Sequence, residues 1–140
     1  MRDLVLDASV VFKWFRPQQR HGAEARLVRE DYLAGRLSIA VPSLLFLELL
    51  NTAARRWSWD APAVRQLAVD LAGFAFAVSE PAIDSVAEWT TRGLTAYDAT
   101  YVALADGRGA QLVTDDERII ELAGAVALPL TSYRAGPAEP

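Results

Sequence analysis

Short apolar runs alternate with stretches of helical periodicity along the whole chain, and no other feature restricts the fold as much. The runs are "DLVL" (Asp3 to Leu6), "LSIAV" (Leu37 to Val41), "FAFAV" (Phe74 to Val78) and "AQLVT" (Ala110 to Thr114), with "AVALPL" (Ala125 to Leu130) as a weaker fifth. Runs of this length, bounded by turn residues, read as strands buried on both faces. The segments between them repeat apolar residues at helical spacing, as Ala25, Val28, Tyr32 and Leu33 do. They stop at Pro17, Gly35, Gly73, Gly93 and Gly109, residues that end helices. This order predicts one α/β domain with a central, mostly parallel sheet of four or five strands and right-handed crossovers. A single domain over residues 1–133 has length enough for a core. "RAGPAEP", residues 134–140, reads as a flexible tail, since Gly136, Pro137 and Pro140 give it little to pack with.

Composition narrows the class. At 52% hydrophobic and 23% charged residues the chain is globular rather than disordered. No apolar stretch reaches bilayer length, and the N-terminus has no signal-peptide core. The absence of Cys excludes disulfides, thiolate zinc sites and a thiol nucleophile. A cytoplasmic protein without membrane contact is expected. A formal net charge of −4 argues against a surface that grips nucleic acid everywhere. Nucleic acid would need a local patch, a metal or a basic partner chain. All cations but Lys13 are Arg, which suits phosphate and carboxylate forks.

"VLDASVVFKWF" (Val5 to Phe15) sets one carboxylate, Asp7, in an otherwise apolar run, where burying charge is costly. Open parallel sheets take ligands beyond the carboxyl ends of their strands, and other acids fall at equivalent places. Asp115 and Asp116 follow the fourth strand after Thr114, and Asp98 lies in the first turn of the helix that feeds that strand. Glu48 lies inside the very apolar helix after the second strand, with Asn51 one turn on. The Asp positions also suit capping: Asp7 as an N-cap, and Thr95 with Asp98 and Thr114 with Glu117 as capping boxes. Glu48 is past the first turn, so it needs a cation or a hydrogen-bond partner, with Arg55 and Arg56 as candidates. Four acids on one edge repel one another. Hard divalent cations such as Mg²⁺ or Mn²⁺, which choose oxygen ligands, relieve that repulsion. Two such ions balance four carboxylates, the arrangement used in metal-assisted phosphodiester hydrolysis. Ser9, Asn51 and Thr114 offer neutral oxygens that would orient the carboxylates.

Asp7 in "VLDASVVFKWF", Glu48 and Asn51 in "PSLLFLELLN", Asp98 in "TAYDATYVALA", and Thr114 and Asp116 in "LVTDDERI" stand in that order within Leu4 to Tyr133. In this the chain resembles PIN-domain ribonucleases, and more narrowly the VapC-type toxins of type II toxin–antitoxin pairs. The resemblance implies a Rossmann-like, three-layer PIN sandwich. It implies an endoribonuclease that depends on Mg²⁺ or Mn²⁺, cuts an RNA substrate and is inhibited by a cognate antitoxin. It implies that Asp7, Glu48, Asp98 and Asp116 are the catalytic, metal-holding acids, with Asp115 as a possible substitute for Asp116. A homodimer is the family expectation, with the helices carrying Leu44 to Trp57 and Ala61 to Ala72 as candidate surfaces. Trp57 and Trp59 are candidates for dimer or antitoxin contacts.

RNA must still reach an acidic pocket, and Lys13, Arg16, Arg20 and Arg118 are the cations nearest the acids in sequence. Trp14 and Phe15 read as core, and His21, the sole His, as structural or surface. Two other readings use the same acids. A receiver-like Mg²⁺-binding domain needs a phosphate-accepting Asp after the middle strand and a Lys near the last ones. Here "FAFAVSEP" offers only Glu80, and Lys13 is the only Lys. A non-catalytic binding module would use the acids as caps and surface charges. No strand is followed by GxGxxG, which disfavours a dinucleotide site.

Overall fold

The computed structural model describes residues 1–16 and 18–135. β1 (Arg2–Leu6) is the middle strand because both its faces are apolar, with Leu4, Val5 and Leu6 buried. The chain then forms α1 (Ala8–Phe15), α2 (Gly22–Leu33), β2 (Leu37–Val41), α3 (Leu44–Arg55) and α4 (Ala61–Gly73). It continues through β3 (Ala77–Val78), α5 (Ile83–Thr91), α6 (Ala96–Arg108), β4 (Gln111–Thr114), α7 (Glu117–Ala123) and β5 (Ala127–Pro129). The five strands pair in parallel in the order β3-β2-β1-β4-β5, with Val5 in register with Ala40 on one side and Leu112 on the other. Helices cover the sheet to make the three-layer sandwich. The weak fifth strand is real and pairs through Val113 and Leu128. Pro129 is tolerated there because β5 is an edge strand.

The third strand is shorter than "FAFAV" suggests. Only Ala77 and Val78 pair with β2. Tyr32 donates its hydroxyl to the carbonyls of Phe74 and Ala75, at 2.7 and 3.1 Å, which takes that backbone off the ladder. Ala75 has a left-handed φ of 53°. Phe74 and Phe76 stack on each other, 5.5 Å between centroids, and both pack on Trp14. The aromatics thus close the core instead of extending the sheet. Trp14 is core as expected, and its indole N–H satisfies the Ala25 carbonyl at 2.8 Å.

Ser43 opens α3 without a side-chain cap; the Glu80 carboxylate accepts the Ser43 N–H at 2.9 Å instead. At the far end of the chain, Tyr133 is buried and donates to buried Asp31, which also accepts from Arg36. That contact ties the last core residue to α2. Of the expected tail, residues 136–140 lie outside the described residues.

Candidate active site

Strands β2 and β3 lie on one side of β1, and β4 and β5 on the other. The connections leaving β1 and β4 therefore open side by side at the carboxyl edge, the crevice where such sheets take ligands. Asp7 is the first residue past β1 and is 4% exposed. It caps α1 by accepting the Ser9 N–H at 3.0 Å on Oδ1. The Ser9 hydroxyl donates to the same oxygen at 2.5 Å and accepts the Asp115 N–H at 2.9 Å. The Thr114 hydroxyl donates to Asp7 Oδ2 and accepts the Asp116 N–H at 3.0 Å. Each hydroxyl thus gives its proton to Asp7 and its lone pair to the backbone beyond β4. Two short side chains weld the β1 and β4 ends together and fix both oxygens of Asp7.

This geometry corrects one local expectation. Thr114 does not begin a capping box, because its hydroxyl is committed to Asp7. Asp116 caps α7 instead, accepting the Ile119 N–H at 3.0 Å. Thr95 does cap α6, through the Asp98 N–H at 3.1 Å. Asp7, Glu48, Asp98 and Asp116 line one cavity of about 140 Å³ with Ala8, Ser9, Phe12 and Tyr101. Capping and clustering are therefore not alternatives: Asp7 and Asp116 do both.

The four acids feel one another. Burial pushes the Asp7 carboxyl up to about 7, against the lowering effect of Ser9 and Thr114, and Asp116 pushes it further up. Burial also raises Asp98, with Asp116 adding to the rise and Thr95 and Arg118 opposing it. Glu48 is raised by burial and by Asp98, and lowered by the hydroxyl of Tyr101. The couplings run in a chain, Asp7 to Asp116 to Asp98 to Glu48. Each rise comes first from burial and then from a neighbouring acid, and both disfavour negative charge in this cavity.

Tyr101 is the functional residue that the sequence alone did not single out. It is buried, three residues after Asp98 on α6, and its hydroxyl donates to Glu48 Oε1 across the cavity. Neither Arg55 nor Arg56 fills that role. The spacing from Asp98 does place Tyr101 on the same helix face, but the contact with α3 depends on tertiary packing. Tyr101→Phe removes the donor that lowers Glu48, so Glu48 ionises at higher pH. The acidic limb of a metal-dependent pH–rate profile should move up, with activity down roughly 10- to 100-fold. An unmoved limb would make Tyr101 a packing residue only.

The remaining sequence candidates separate. Lys13 is buried and paired with Asp115 at 3.2 Å, so it is not free to contact phosphate. Asp115 also accepts His21 Nδ1, at 2.9 and 3.1 Å. It lines a different cavity with Arg20, His21 and Glu117, outside the one that holds the four acids. Asp115 is a charge partner for Lys13 and His21, and Asp116 is the acid in the cluster. Arg16 is exposed, with its guanidinium 4.9 Å over the Trp57 ring. Trp57 in turn packs edge-on to Phe12 of the acid cavity, at 5.7 Å, and against Trp59. Arg118 donates to the Gly93 carbonyl at 3.1 Å, close enough to Asp98 to lower it. Asn51 is exposed and does not reach the acid cavity; it lines a neighbouring one. A further cavity between Phe46, Leu50, Leu71 and Phe76 is apolar and carries no ionisable group.

The donor set fits a hard divalent cation: four carboxylates, no nitrogen or sulfur, and excess negative charge in a partly buried cavity. Among the described residues no three acidic or imidazole side chains stand together as a ready ligand set. The fit is one of chemistry and charge.

Comparison with known proteins accords with this architecture. No curated protein matches the chain. Among solved structures, PAE2754 from Pyrobaculum aerophilum is similar with a TM-score of 0.67 at 22% identity, over 94% of this chain and 91% of that one. FitAcB from Neisseria gonorrhoeae is similar with a TM-score of 0.68 at 16% identity, over 93% and 99% of the two chains. A toxin–antitoxin complex from Klebsiella pneumoniae is similar with a TM-score of 0.63 at 16% identity, over 91% and 97%. At these identities the structures share the fold. The PIN domain family model matches residues 4–125, which takes in all four acids. The chain belongs to the PIN domain family.

Proposed function

We propose that this PIN domain is a divalent-metal-dependent endoribonuclease and the toxin of a toxin–antitoxin pair. The observation that carries the reading is the convergence of Asp7, Glu48, Asp98 and Asp116 on one cavity at the switch point of the sheet, with their charges coupled. Mg²⁺ or Mn²⁺, when bound, supplies charge neutralisation, water activation and stabilisation of the leaving oxygen. Asp7, Asp98 and Asp116, with Glu48, would hold it. Ser9 and Thr114 keep Asp7 fixed in rotation, so its oxygens need no reorganisation. Tyr101 holds Glu48 toward the same cavity. Arg118 partly offsets Asp98, and Arg16, exposed and stacked over Trp57, is read as a contact for an RNA phosphate. Among the described residues no Cys or His lines the cavity, and the hydroxyl of Ser9, which does, is committed to Asp7 and the Asp115 N–H, so the reading has water attack phosphorus in line and the 3′-oxygen depart. The products are a 3′-hydroxyl and a 5′-phosphate.

A partner antitoxin is part of the proposal, supported by the shared fold with the Klebsiella complex. So are a homodimer and a cytoplasmic location. Among the described residues, no helix is long and apolar enough to cross a membrane. The test is cleavage of RNA by purified protein with Mn²⁺ or Mg²⁺, beside a chelator control. Metal-dependent cleavage with 5′-phosphate ends is expected. Products ending in a 2′,3′-cyclic phosphate would overturn the mechanism.

A further inference from the structure

α7 begins at Glu117, directly after Asp116, and Arg118 stands in its first turn. A cation there works against the helix dipole, which favours negative charge at an N-terminus. Nor does an acid hold it in place. Arg36, Arg92 and Arg108 are paired with Asp31, Glu88 and Asp3. Among the described residues Arg118 forms no ion pair, and its hydrogen bond goes to a neutral acceptor, the Gly93 carbonyl, at 3.1 Å. Gly93 has a left-handed φ of 106°, in the turn between α5 and α6. A Cβ there would stand 3.6 Å from the Arg118 guanidinium and 3.4 Å from Leu122, one helical turn further along α7. The turn leads into α6, which carries Asp98 in its first turn. Arg118 is thus set beside two acids of the cavity, two residues past Asp116 in the chain and near enough to Asp98 to lower its carboxyl.

We propose that Arg118 is a catalytic residue of the ribonuclease reaction, holding a non-bridging oxygen of the scissile phosphate. The inference rests on the ribonuclease reading and adds to it a cation that serves the substrate. A guanidinium has five N–H donors in a planar fork, and phosphate oxygens match that fork in pairs. The Gly93 carbonyl takes one donor and leaves the others. Because that carbonyl is neutral, it orients the guanidinium without cancelling its charge, as a carboxylate would. Gly93 is in this sense a positioning residue. Four carboxylates line the cavity, and an incoming phosphate meets their repulsion. Lys13 is spent on Asp115, so it gives no relief. A fixed cation beside the cavity lowers that repulsion and stabilises the charge that gathers on the phosphate oxygens in the transition state.

The test uses a short single-stranded RNA that the wild-type chain cuts with Mn²⁺, and the same RNA with each phosphorothioate diastereomer at the cut. Arg118→Gln should lower kcat on the order of 100-fold, the typical loss for one donor aimed at developing negative charge, with KM changed far less. Its melting temperature and Mn²⁺ affinity should stay near wild type, since a single exposed hydrogen bond is lost. Sulfur accepts a hydrogen bond from a guanidinium poorly. One diastereomer should therefore be cut more slowly than the parent RNA by wild type, and no more slowly than the parent by Arg118→Gln. An unchanged kcat in the variant, or equal sulfur effects in wild type and variant for both diastereomers, would overturn the role. So would a fall in melting temperature or Mn²⁺ affinity large enough to account for the lost rate, which would make Arg118 a structural tie between α7 and the α5–α6 turn. Failure of the wild-type chain to cut any RNA would instead bring down the ribonuclease reading, and the role of Arg118 with it.

Discussion

Asp7→Asn is expected to raise the melting temperature of the metal-free protein while removing metal-dependent cleavage. The two effects share a cause. Asp7 is buried, and its carboxyl is pushed up from 3.8 to about 7. In the unfolded chain the same group ionises at its ordinary value. Between about pH 4 and pH 7 the native state therefore holds a proton that the unfolded state has released. Stability falls as pH rises wherever the native state binds more protons, so the wild-type chain loses stability across that window. The loss is on the order of 4 kcal/mol for a shift of this size. Asn keeps the shape and can still cap α1. It lacks one acceptor for the Ser9 and Thr114 hydroxyls, which offsets about 1 kcal/mol. The variant should thus match wild type near pH 4 and melt higher above pH 7. Cleavage should fall by more than the roughly 10- to 100-fold typical of residues that only orient a metal ligand. Mn²⁺ should stabilise the wild-type chain and not the variant. A lower melting temperature at pH 7.5 than wild type, without this pH trend, would show that capping outweighs charge repulsion.

The sheet was legible because each strand is a short aliphatic run between helix stops, and parallel strands buried on both faces leave little else to choose. Asp7 and the Asp115–Asp116 pair were legible for the same reason: a carboxylate just after a buried strand sits at the ligand edge whatever its neighbours do. Contacts between distant elements were not. Tyr101 reaches Glu48 only through the packing of α6 against α3, and no local pattern encodes that. The weld through Ser9 and Thr114 was visible only as two hydroxyls near acids, without the fact that each bridges to the backbone beyond β4. "FAFAV" has ideal strand composition, yet Tyr32 captures two of its carbonyls and the aromatics turn to Trp14. The choice between Asp115 and Asp116 was open in sequence because adjacent residues after a strand point to different sides, and periodicity does not say which side the cavity lies on.

That choice leads to the second large effect. Asp115→Ala should destabilise the fold strongly and leave metal binding intact, whereas Asp116→Asn should do the reverse. Lys13 is 8% exposed at its side chain and has Asp115 as its partner at 3.2 Å. Removing one member of a buried ion pair leaves an uncompensated charge and costs about 3–5 kcal/mol. His21, held in a left-handed conformation with φ 62°, loses its side-chain hydrogen bonds to Asp115 as well. The damage therefore spreads to α1, the turn into α2 and the β4–α7 connection. Among the described residues Asp116 carries no such pair, and Asn caps α7 about as well as Asp. Its carboxylate is one of the four in the cavity, so neutralising it removes a metal ligand at little cost to folding. Thermal melts and Mn²⁺ titrations of the two variants separate the roles. The sharpest control is Lys13→Met with Asp115→Leu, because replacing both ends of a buried pair with apolar groups is often neutral or stabilising. That double variant should recover most of the stability lost in Asp115→Ala and still bind Mn²⁺. If Asp115→Ala instead keeps its melting temperature and loses Mn²⁺ binding, Asp115 is the fourth ligand and the pairing with Lys13 is incidental.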